Sequence, residues 1–273
     1  MRRGIALSVG SVLLAVWSLG PLVWMVLVGL LPPVDSGAQP PNIDPSHFSL
    51  DRYGQLLADP KFQQSLLNST VVAVSTMLIC LVIGSIGGYA LARLPTPGKR
   101  LFLGGALATQ MVPGIILIIP VFLVMRTLGL TDSLVSLIVV YTAFLLPYSL
   151  WLLRNFFMDV PPQLEAAARM DGCTRLGALF RIIMPAAAPG IAATAIFLFI
   201  SCWNEFLFAV VLTIQHATTI TVRLASVQDE IFGQQDFATL ANAAAIAILP
   251  PVVAVIFLNR FVVRGLKDSA MKG

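Results

Sequence analysis

Six long runs of nearly uncharged residues divide this chain of 273 residues. Each run is at least as long as the roughly 18 apolar residues that indicate a transmembrane helix crossing a hydrocarbon core about 30 Å thick. The runs cover residues 5–31, 66–91, 101–125, 134–153, 189–212 and 237–258. Only 11% of the residues are charged, against about 25% in soluble domains. We therefore predict an all-α membrane protein with six transmembrane helices in a single domain spanning residues 1–273.

Basic residues are unevenly distributed between the two sides that six spans define. Thirteen of the 17 lysines and arginines lie at the termini or in the loops after the second and fourth runs. The other four are Arg52, Lys61, Arg126 and Arg223. Because loops rich in Lys and Arg stay in the cytoplasm, this distribution predicts that both termini are cytoplasmic. It also explains the net charge of +4 without nucleic-acid binding.

Small side chains recur every four residues along the second run. They are Thr76, Cys80, Gly84, Gly88 and Ala92. A stripe of this kind lets a neighbouring helix approach closely. It therefore predicts tight helix packing, and it gives Cys80 a structural role in place of a reactive one.

Prolines are frequent inside the runs. They include Pro113 and Pro120 in the third, Pro147 in the fourth, and Pro250 and Pro251 in the sixth. Each removes a backbone donor, which a membrane interior tolerates only where neighbouring groups or water satisfy the freed carbonyl. The pattern predicts kinked spans.

Two segments are predicted to lie outside the membrane, at residues 32–65 and 213–236. Both are interpreted either as solvated connections or as docking surfaces for an extracytoplasmic partner.

A short polar segment separates the fourth and fifth runs. Asp159 and the Pro161-Pro162 pair predict a helix start, Gly172 predicts its end, and Thr174 is placed to cap a second helix. That second helix has four apolar residues with the spacing of one face: Leu176, Leu179, Phe180 and Ile183. We expect this face of the hairpin to contact either the membrane surface or another protein.

The same segment resembles the EAA signature of permease subunits of bacterial ABC importers. The resemblance rests on Glu165-Ala166-Ala167, Gly172, Ile182 and Pro185, with Met184 where leucine is usual. In that family the segment forms a coupling helix that seats in a cleft of the cytoplasmic ATPase subunit. The resemblance implies that the residues in this contact are Glu165, Ala166, Ala167, Asp171, Gly172, Ile182 and Pro185.

Glu165 and Gly172 are expected to act in different ways. The carboxylate of Glu165, near the first turn of the helix, complements the helix dipole and could also meet a basic residue of the ATPase partner. Gly172 permits a left-handed corner that a side chain would resist. The alternative is that both residues only cap the helix.

Other stretches extend the resemblance over most of the chain. "SLDRYGQLL", "MVPGIILIIPVF", "CWNEFLFAVVLT" and the tail "LNRFVVRGLKDSAMKG" are similar to the six-span subunit of the maltose-type, carbohydrate-uptake branch, with its type-I transmembrane domain. In that branch the tail reaches the ATPase dimer interface. The resemblance implies ATPase contacts at Lys267, Lys272 and Gly273, although "KDSAMKG" departs from the commoner ending rich in threonine and glycine.

The resemblance also implies a set of partners in the bacterial cytoplasmic membrane and its lipid. These are a homologous second permease subunit, an ATPase subunit dimer and an extracytoplasmic solute-binding protein. The chain lacks the P-loop pattern that cradles nucleotide phosphates, since Gly98-Lys99 is followed by arginine and lacks the upstream glycine. We therefore expect no catalytic activity and no cofactor on this chain, with ATP and Mg on the ATPase. His47 and His216 form no ligand cluster, so no metal site is predicted.

A substrate pathway is predicted in the fifth run. Ser201, Asn204, Glu205 and Phe208 are spaced to share one helical face, and Trp203 lies beside them. An ionisable group within a membrane is a functional-site hypothesis, and planar polar groups with aromatic rings suit a saccharide. The alternative is that Glu205 pairs with an Asn or Arg of the partner permease. Thr109, Gln110 and Asn242 are interpreted as hydrogen-bonding residues between helices.

These features lead to one predicted function and two principal alternatives. We predict the permease subunit of an ATP-driven importer for a mono-, di- or oligosaccharide. The first alternative is a permease of the same class for a glycerol phosphate or phosphodiester, which additional cationic residues along the pathway would favour. The second is an ion-coupled secondary transporter, which would need coupling carboxylates near mid-membrane and no ATPase-docking segment. A membrane enzyme is a weaker possibility, because no catalytic set is recognisable.

Overall fold

A computed structural model describes residues 2–36, 38, 41–231 and 237–270, and it contains no β-strand within those residues. The helices are α1 (Arg2–Gly29), α2 (Pro33–Ser36), α3 (Asp51–Ala58), α4 (Pro60–Arg93), α5 (Lys99–Ala108), α6 (Gly114–Thr127), α7 (Leu134–Asp159), α8 (Pro162–Met170), α9 (Arg175–Ala178), α10 (Met184–Ala186), α11 (Ala188–Trp203), α12 (Leu207–Leu212), α13 (Ile220–Ile231), α14 (Phe237–Ala247) and α15 (Leu249–Ala270). Short 3-10 turns lie at Pro45–His47 and Thr109–Met111, and Leu179–Ile183 forms a π-helical turn. The predicted all-α fold is confirmed.

Four described helical segments are long and apolar enough to cross a membrane. They are Ser8–Gly29, Pro60–Arg93, Leu134–Asp159 and Ala238–Val263. Two further candidates are bent pairs: Lys99–Met111 with Gly114–Thr127 at 97°, and Arg175–Ala186 with Ala188–Trp203 at 82°. Counting each bent pair as one span gives six, which agrees with the prediction. The chain is a multi-pass membrane protein.

The described residues form two compact units. The first, here the terminal unit, consists of Met1–Leu66 and Ile220–Leu249. The second, the core unit, consists of Leu67–Thr219 and Pro250–Gly273. The predicted hairpin and the predicted pathway residues all belong to the core unit.

In the terminal unit, α1 packs along α14, and α3 and α13 also contact α14. Gly29 makes the approach of α14 possible, because a Cβ there would lie 1.9 Å from Asn242 Oδ1. The Asn242 side chain is buried and forms no hydrogen bond with any described residue. The prediction that Asn242 hydrogen-bonds between helices is therefore wrong, since the residue fills the space beside Gly29. Arg223 of α13 forms an ion pair with Asp59 at 3.4 Å.

In the core unit, the small-residue stripe of α4 packs against α7. A Cβ on Gly84 would lie 2.2 Å from Ser149 Oγ, and one on Gly88 would lie 3.0 Å from the backbone nitrogen of Arg154. The Ser149 hydroxyl donates a hydrogen bond of 2.7 Å to the Cys80 carbonyl. The predicted close packing along this stripe is confirmed.

In the core unit, Asp132 fixes the segment that follows α12. Its carboxylate accepts hydrogen bonds of 2.9 to 3.2 Å from four consecutive backbone N–H groups, those of residues 214–217. Burial, the largest single effect, disfavours the charged form, but the four backbone N–H groups outweigh it and lower the pKa of Asp132 from 3.8 to about 2. Asp132 has a positive φ of 53°, a left-handed conformation that Asp tolerates better than most residues. Part of the second predicted external loop is therefore an ordered turn.

Candidate functional sites in the hairpin and the interrupted spans

The hairpin between the fourth and fifth spans forms largely as its sequence predicts. Helix α8 begins at Pro162 and ends at Met170. Gly172 has a φ of 84°, which is the expected left-handed corner. The Thr174 hydroxyl oxygen accepts a hydrogen bond of 3.0 Å from the Gly177 N–H, so Thr174 caps α9 as predicted.

The predicted apolar face of the second helix is divided between two environments. Leu179 and Ile183 are fully buried against Phe157 and other residues of the core unit. Leu176 and Phe180 are more than half exposed, at 56% and 53%. The prediction that all four residues share one outward face is therefore wrong, because Leu179–Ile183 forms a π-helical turn and two of the residues pack inside the chain.

An exposed apolar surface nevertheless remains on the hairpin. We call it the hairpin surface, and its large members are Leu164, Met170, Leu176 and Phe180. The Ala166 and Ala167 side chains, with Asp171, Gly172 and Pro185, are also exposed, whereas Ile182 is half-buried. Large exposed apolar patches commonly mark sites of protein association.

Glu165 is directed into its own chain. Its Oε1 accepts a hydrogen bond of 2.5 Å from the Tyr89 hydroxyl, and its Oε2 lies 3.6 Å from Arg93 Nε. The same guanidinium donates hydrogen bonds to the carbonyls of Phe157, at 2.8 Å, and Val160. We call Tyr89, Arg93 and Glu165 the glutamate cluster. Within its own chain, the carboxylate of Glu165 pairs with Arg93. Its contact with a basic residue of an ATPase subunit stays a prediction.

The predicted tail contacts fall largely outside the described side chains. Lys267 lies in α15, and its side chain is not described. Lys272 and Gly273 lie outside the described residues. Their contact with an ATPase subunit stays a prediction.

The fifth span is interrupted at its predicted pathway residues. Helix α11 ends at Trp203 and α12 begins at Leu207, so Ser201, Asn204, Glu205 and Phe208 do not lie on one continuous helical face as predicted. The carboxylate of Glu205 accepts hydrogen bonds from the N–H groups of Phe208, at 2.9 Å, and Ala209, at 3.1 Å. These donors belong to the first turn of α12, where no intrahelical acceptor is available.

Glu205 is also bonded across the unit. Its Oε2 accepts a hydrogen bond of 2.5 Å from the Tyr141 hydroxyl of α7. Tyr141 is buried. The carboxylate therefore satisfies the start of α12 and connects the interruption to the fourth span.

The third span is interrupted beside the fifth. Val112 and Pro113 have extended backbone conformations between the turn Thr109–Met111 and the start of α6. A Cβ on Gly114 would lie 3.7 Å from the Phe208 ring, whose centroid is 4.8 Å from that of Phe144. The two interruptions therefore meet at the contact between Gly114 and Phe208.

The predicted pathway residues differ in accessibility. Asn204 is exposed and Ser201 is half-buried, as is Glu205. Phe208 is buried, and so is Trp203, which stacks on Phe199 with centroids 5.7 Å apart. Thr109 and Gln110 form local hydrogen bonds at the third-span interruption. Polar groups and buried aromatic rings are thus close together at the interruptions.

Residues 81–268 match the family described as binding-protein-dependent transport system inner membrane component. The chain belongs to this family. It is 35% identical over 273 residues to the trehalose transport system permease protein SugB of Mycobacterium tuberculosis (strain CDC 1551 / Oshkosh), covering 100% of this chain and 99% of that protein. It is 33% identical over 279 residues to the trehalose/maltose transport system permease protein MalG of Thermococcus litoralis, covering 99% of this chain and 98% of that protein.

The fold of this inner-membrane component is also found among solved structures. A bacterial ABC transporter involved in the import of the acidic polysaccharide alginate matches with a TM-score of 0.77 and 23% identity. The match covers 94% of this chain and 95% of that one. It supports the six-span architecture.

Several residues of these sites were not predicted from the sequence. Tyr89 and Arg93 are four positions apart and share a helix face, which is a signal that could have drawn attention to them. Nothing in the local pattern connects them with Glu165, 76 residues after Tyr89. Tyr141 and Asp132 carry no local signal, because their partners are also distant in sequence.

Proposed function

We propose that this inner-membrane component is the permease subunit of an ATP-driven ABC importer that moves a carbohydrate across the bacterial cytoplasmic membrane. The observation that carries the proposal is the hairpin, whose exposed apolar surface and left-handed corner at Gly172 lie between two spans. The identity to the trehalose and trehalose/maltose permeases, over nearly the whole chain, supports a sugar as the solute.

The hairpin surface is proposed to seat on an ATPase subunit. Leu164, Met170, Leu176 and Phe180 would be covered in that contact, which removes apolar area from water. Ala166 and Ala167 allow a close approach because their side chains are small. In this proposal the chain is not an enzyme, and ATP and Mg are bound by an ATPase subunit dimer.

The paired interruptions are the proposed pathway of the solute. Irregular backbone at membrane depth is tolerated where it is covered by protein or lines a water-filled cavity. Asn204 and Ser201 would offer hydrogen bonds to sugar hydroxyls, whereas Trp203 and Phe208 would shape the wall from behind. Glu205 would keep the interruption open by holding the start of α12.

The charges along these spans favour a neutral solute over an anionic one. Residues 101–125 and 189–212 contain no lysine or arginine, and their ionisable residues include the acidic Glu205. A glycerol phosphate or phosphodiester would lack a cationic partner there. An ion-coupled transporter is disfavoured for a different reason, since both oxygens of Glu205 already accept hydrogen bonds within the chain.

The remaining partners follow from the family and from the charge distribution. The family depends on a solute-binding protein, which we propose docks outside, near the turn that Asp132 orders. A homologous second permease subunit would complete the pathway. Both termini are proposed to be cytoplasmic, because 13 of the 17 basic residues lie on their side of the membrane.

Reconstitution of the transporter tests the proposal. The chain would be placed in liposomes with its partner permease and ATPase, and ATP hydrolysis would be measured with the cognate binding protein and a panel of trehalose, maltose, chito-oligosaccharides, glycerol 3-phosphate and glycerophosphodiesters. We expect a saccharide to stimulate hydrolysis and uptake. Stimulation by a phosphodiester alone, or uptake driven by an ion gradient without ATP, would contradict the proposal.

A further inference from the structure

We propose that a groove between α6 and α7 binds one phospholipid of the surrounding membrane, with an acyl chain in the groove and an anionic headgroup at Arg126. We call it the α6–α7 groove. It has a volume of about 240 Å³ and is lined by four residues of α6, between Pro120 and Met125, and four of α7, between Val139 and Phe144. The inference goes beyond the proposed function, because it concerns the membrane lipid and not the solute.

The groove forms because α12 lies against both of its helices. Helix α12 packs on α6 and on α7, which contact each other much less than they contact α12. The part of the groove between α6 and α7 that α12 does not cover therefore stays open. Two of its rim residues, Val124 and Val139, are 51% and 47% exposed.

The lining selects an apolar occupant. All eight lining residues are apolar, so the groove offers no side-chain hydrogen bond to a water molecule. Both helices also belong to segments that are apolar enough to cross a membrane, Gly114–Thr127 as half of a bent pair and Leu134–Asp159 as a single helix. The medium around such segments is hydrocarbon. An acyl chain therefore fits both the chemistry and the depth of the groove.

Arg126 specifies the headgroup. It directly follows the groove residue Met125 in the last turn of α6, and it is exposed. It forms no hydrogen bond or ion pair with any described residue. The nearest acidic residue in the sequence, Asp132, already accepts four backbone N–H groups. The Arg126 guanidinium is therefore available to a phosphate group, which it can bind through two N–H donors.

The position of Arg126 along the span agrees with this assignment. Residues 128–133 are all that joins α6 to α7, so the end of the groove beside Met125 and Val139 lies near the ends of both spans. Lipid headgroups are found at that depth, and arginine side chains near helix ends extend toward them. A helix of the partner permease is the other candidate occupant. It would need an acidic residue of its own to pair with Arg126.

The groove also reaches the interruptions of the spans. Phe144 lines the groove, and its ring centroid lies 4.8 Å from that of Phe208. Phe208 in turn lies against Gly114, where the two interruptions meet. An acyl chain in the groove would hold Phe144 against Phe208 and limit the movement of both rings. We therefore expect the bound lipid to affect the activity of the transporter.

The test measures lipid bound to the complete purified transporter by native mass spectrometry, with added phosphatidylglycerol or phosphatidylcholine of identical acyl chains. Arg126→Gln removes the cation, and Ala143→Phe fills the groove from an exposed lining position. Lys61→Gln is the matched control for charge, at an exposed cation of the terminal unit. Ile119→Phe is the matched control for bulk, since Ile119 is 70% exposed on α6 and does not line the groove.

We expect the wild type to bind phosphatidylglycerol about tenfold more tightly than phosphatidylcholine, as for one hydrogen-bonded charged group. Arg126→Gln should abolish this preference, whereas Ala143→Phe should weaken the binding of both lipids. Neither control should change either affinity. In lipid nanodiscs, phosphatidylglycerol should raise the ATP hydrolysis of the wild type that the binding protein stimulates, and it should have no such effect on Arg126→Gln.

Two results would overturn the proposal. One is an unchanged preference for phosphatidylglycerol in Arg126→Gln, a surface substitution that leaves the packing intact. The other is loss of the partner permease from Ala143→Phe with normal lipid binding by the chain that remains, which would show that a helix of the partner covers the groove. Failure of the proposed function gives a different result, since no saccharide would then stimulate the wild type, while the lipid measurement needs no solute.

Discussion

Glu165 and Glu205 are two half-buried glutamates with opposite relations to the chain around them. Both accept a tyrosine hydroxyl at 2.5 Å, from Tyr89 and Tyr141 respectively. The second partner of Glu165 is Arg93, a side chain on another helix, whereas Glu205 accepts the N–H groups of residues three and four positions ahead. Glu165 therefore joins separate helices, and Glu205 stabilises a local interruption. The difference predicts that changes at Glu165 alter coupling, whereas changes at Glu205 alter folding.

Glu205→Leu tests the local role and should have the largest effect. It leaves the first N–H groups of α12 and the buried Tyr141 hydroxyl without their acceptor, which should cost roughly 3 kcal/mol of unfolding free energy. Thermal unfolding of the purified transporter in detergent measures the loss. Glu205→Gln keeps an acceptor and should be affected less. If the Leu variant were as stable as the wild type, Glu205 would not stabilise the interruption.

Gly172→Pro tests the hairpin side of the comparison. Proline requires a φ near −65°, and Gly172 has 84°, so the corner cannot form. We expect normal membrane insertion, continued ATP hydrolysis and loss of solute uptake. Gly172→Asn is the matched control, because asparagine tolerates the left-handed conformation and should keep most of the uptake. Wild-type uptake in the proline variant would refute the coupling role.

Phe180→Ser tests whether the hairpin surface is the docking site. Phe180 is 53% exposed on the hairpin surface, and loss of an aromatic contact at an interface commonly costs 1 to 2 kcal/mol, about a tenfold weaker association. The amount of ATPase that co-purifies should fall accordingly. Phe102→Ser, at an exposed phenylalanine outside the hairpin, should not change the ATPase content. The opposite pattern would mean that the hairpin surface is not the docking site.

Asp132→Asn provides the smallest expected effect and a third carboxylate for comparison. The pKa of Asp132 is lowered to about 2 in the folded chain, so its stabilisation is present above pH ~4 and is lost as the pH falls through about 2. We expect the variant to be about 1 kcal/mol less stable between pH 5 and 7, after allowance for solvent screening. Thermal unfolding across that range and down to pH 3 should show the difference shrinking at low pH. A difference that is independent of pH would contradict the charge-based explanation.

The features that the sequence predicts well are local ones. Gly172 and Thr174 act through their own backbone neighbourhood, so their positions alone indicated the corner and the cap. The stripe through Gly84 and Gly88 has a four-residue period, which is also visible locally. The six uncharged runs identify the spans because a bilayer requires that length.

The features that the sequence does not predict depend on distant partners. Glu165 pairs with Arg93 of its own chain, and no local pattern indicates which helix ends lie together. Pro113 indicated a loosened helix, but the 97° bend depends on extended conformations at Val112 and Pro113 as well. The shared face predicted for the fifth span required a helix that continues past Trp203. The helix ends there instead, and Glu205 caps the next helix, α12.

The contact of Gly84 and Gly88 with α7 has a mechanical consequence. Gly84 lies against the Ser149 side chain and Gly88 against the α7 backbone, so there is little room for either helix to slide or twist along the other without collision. The second and fourth spans should consequently tilt together as a stiff lever. A displacement at one end of this lever would then move its other end, at the opposite face of the bilayer, with little bending between the two.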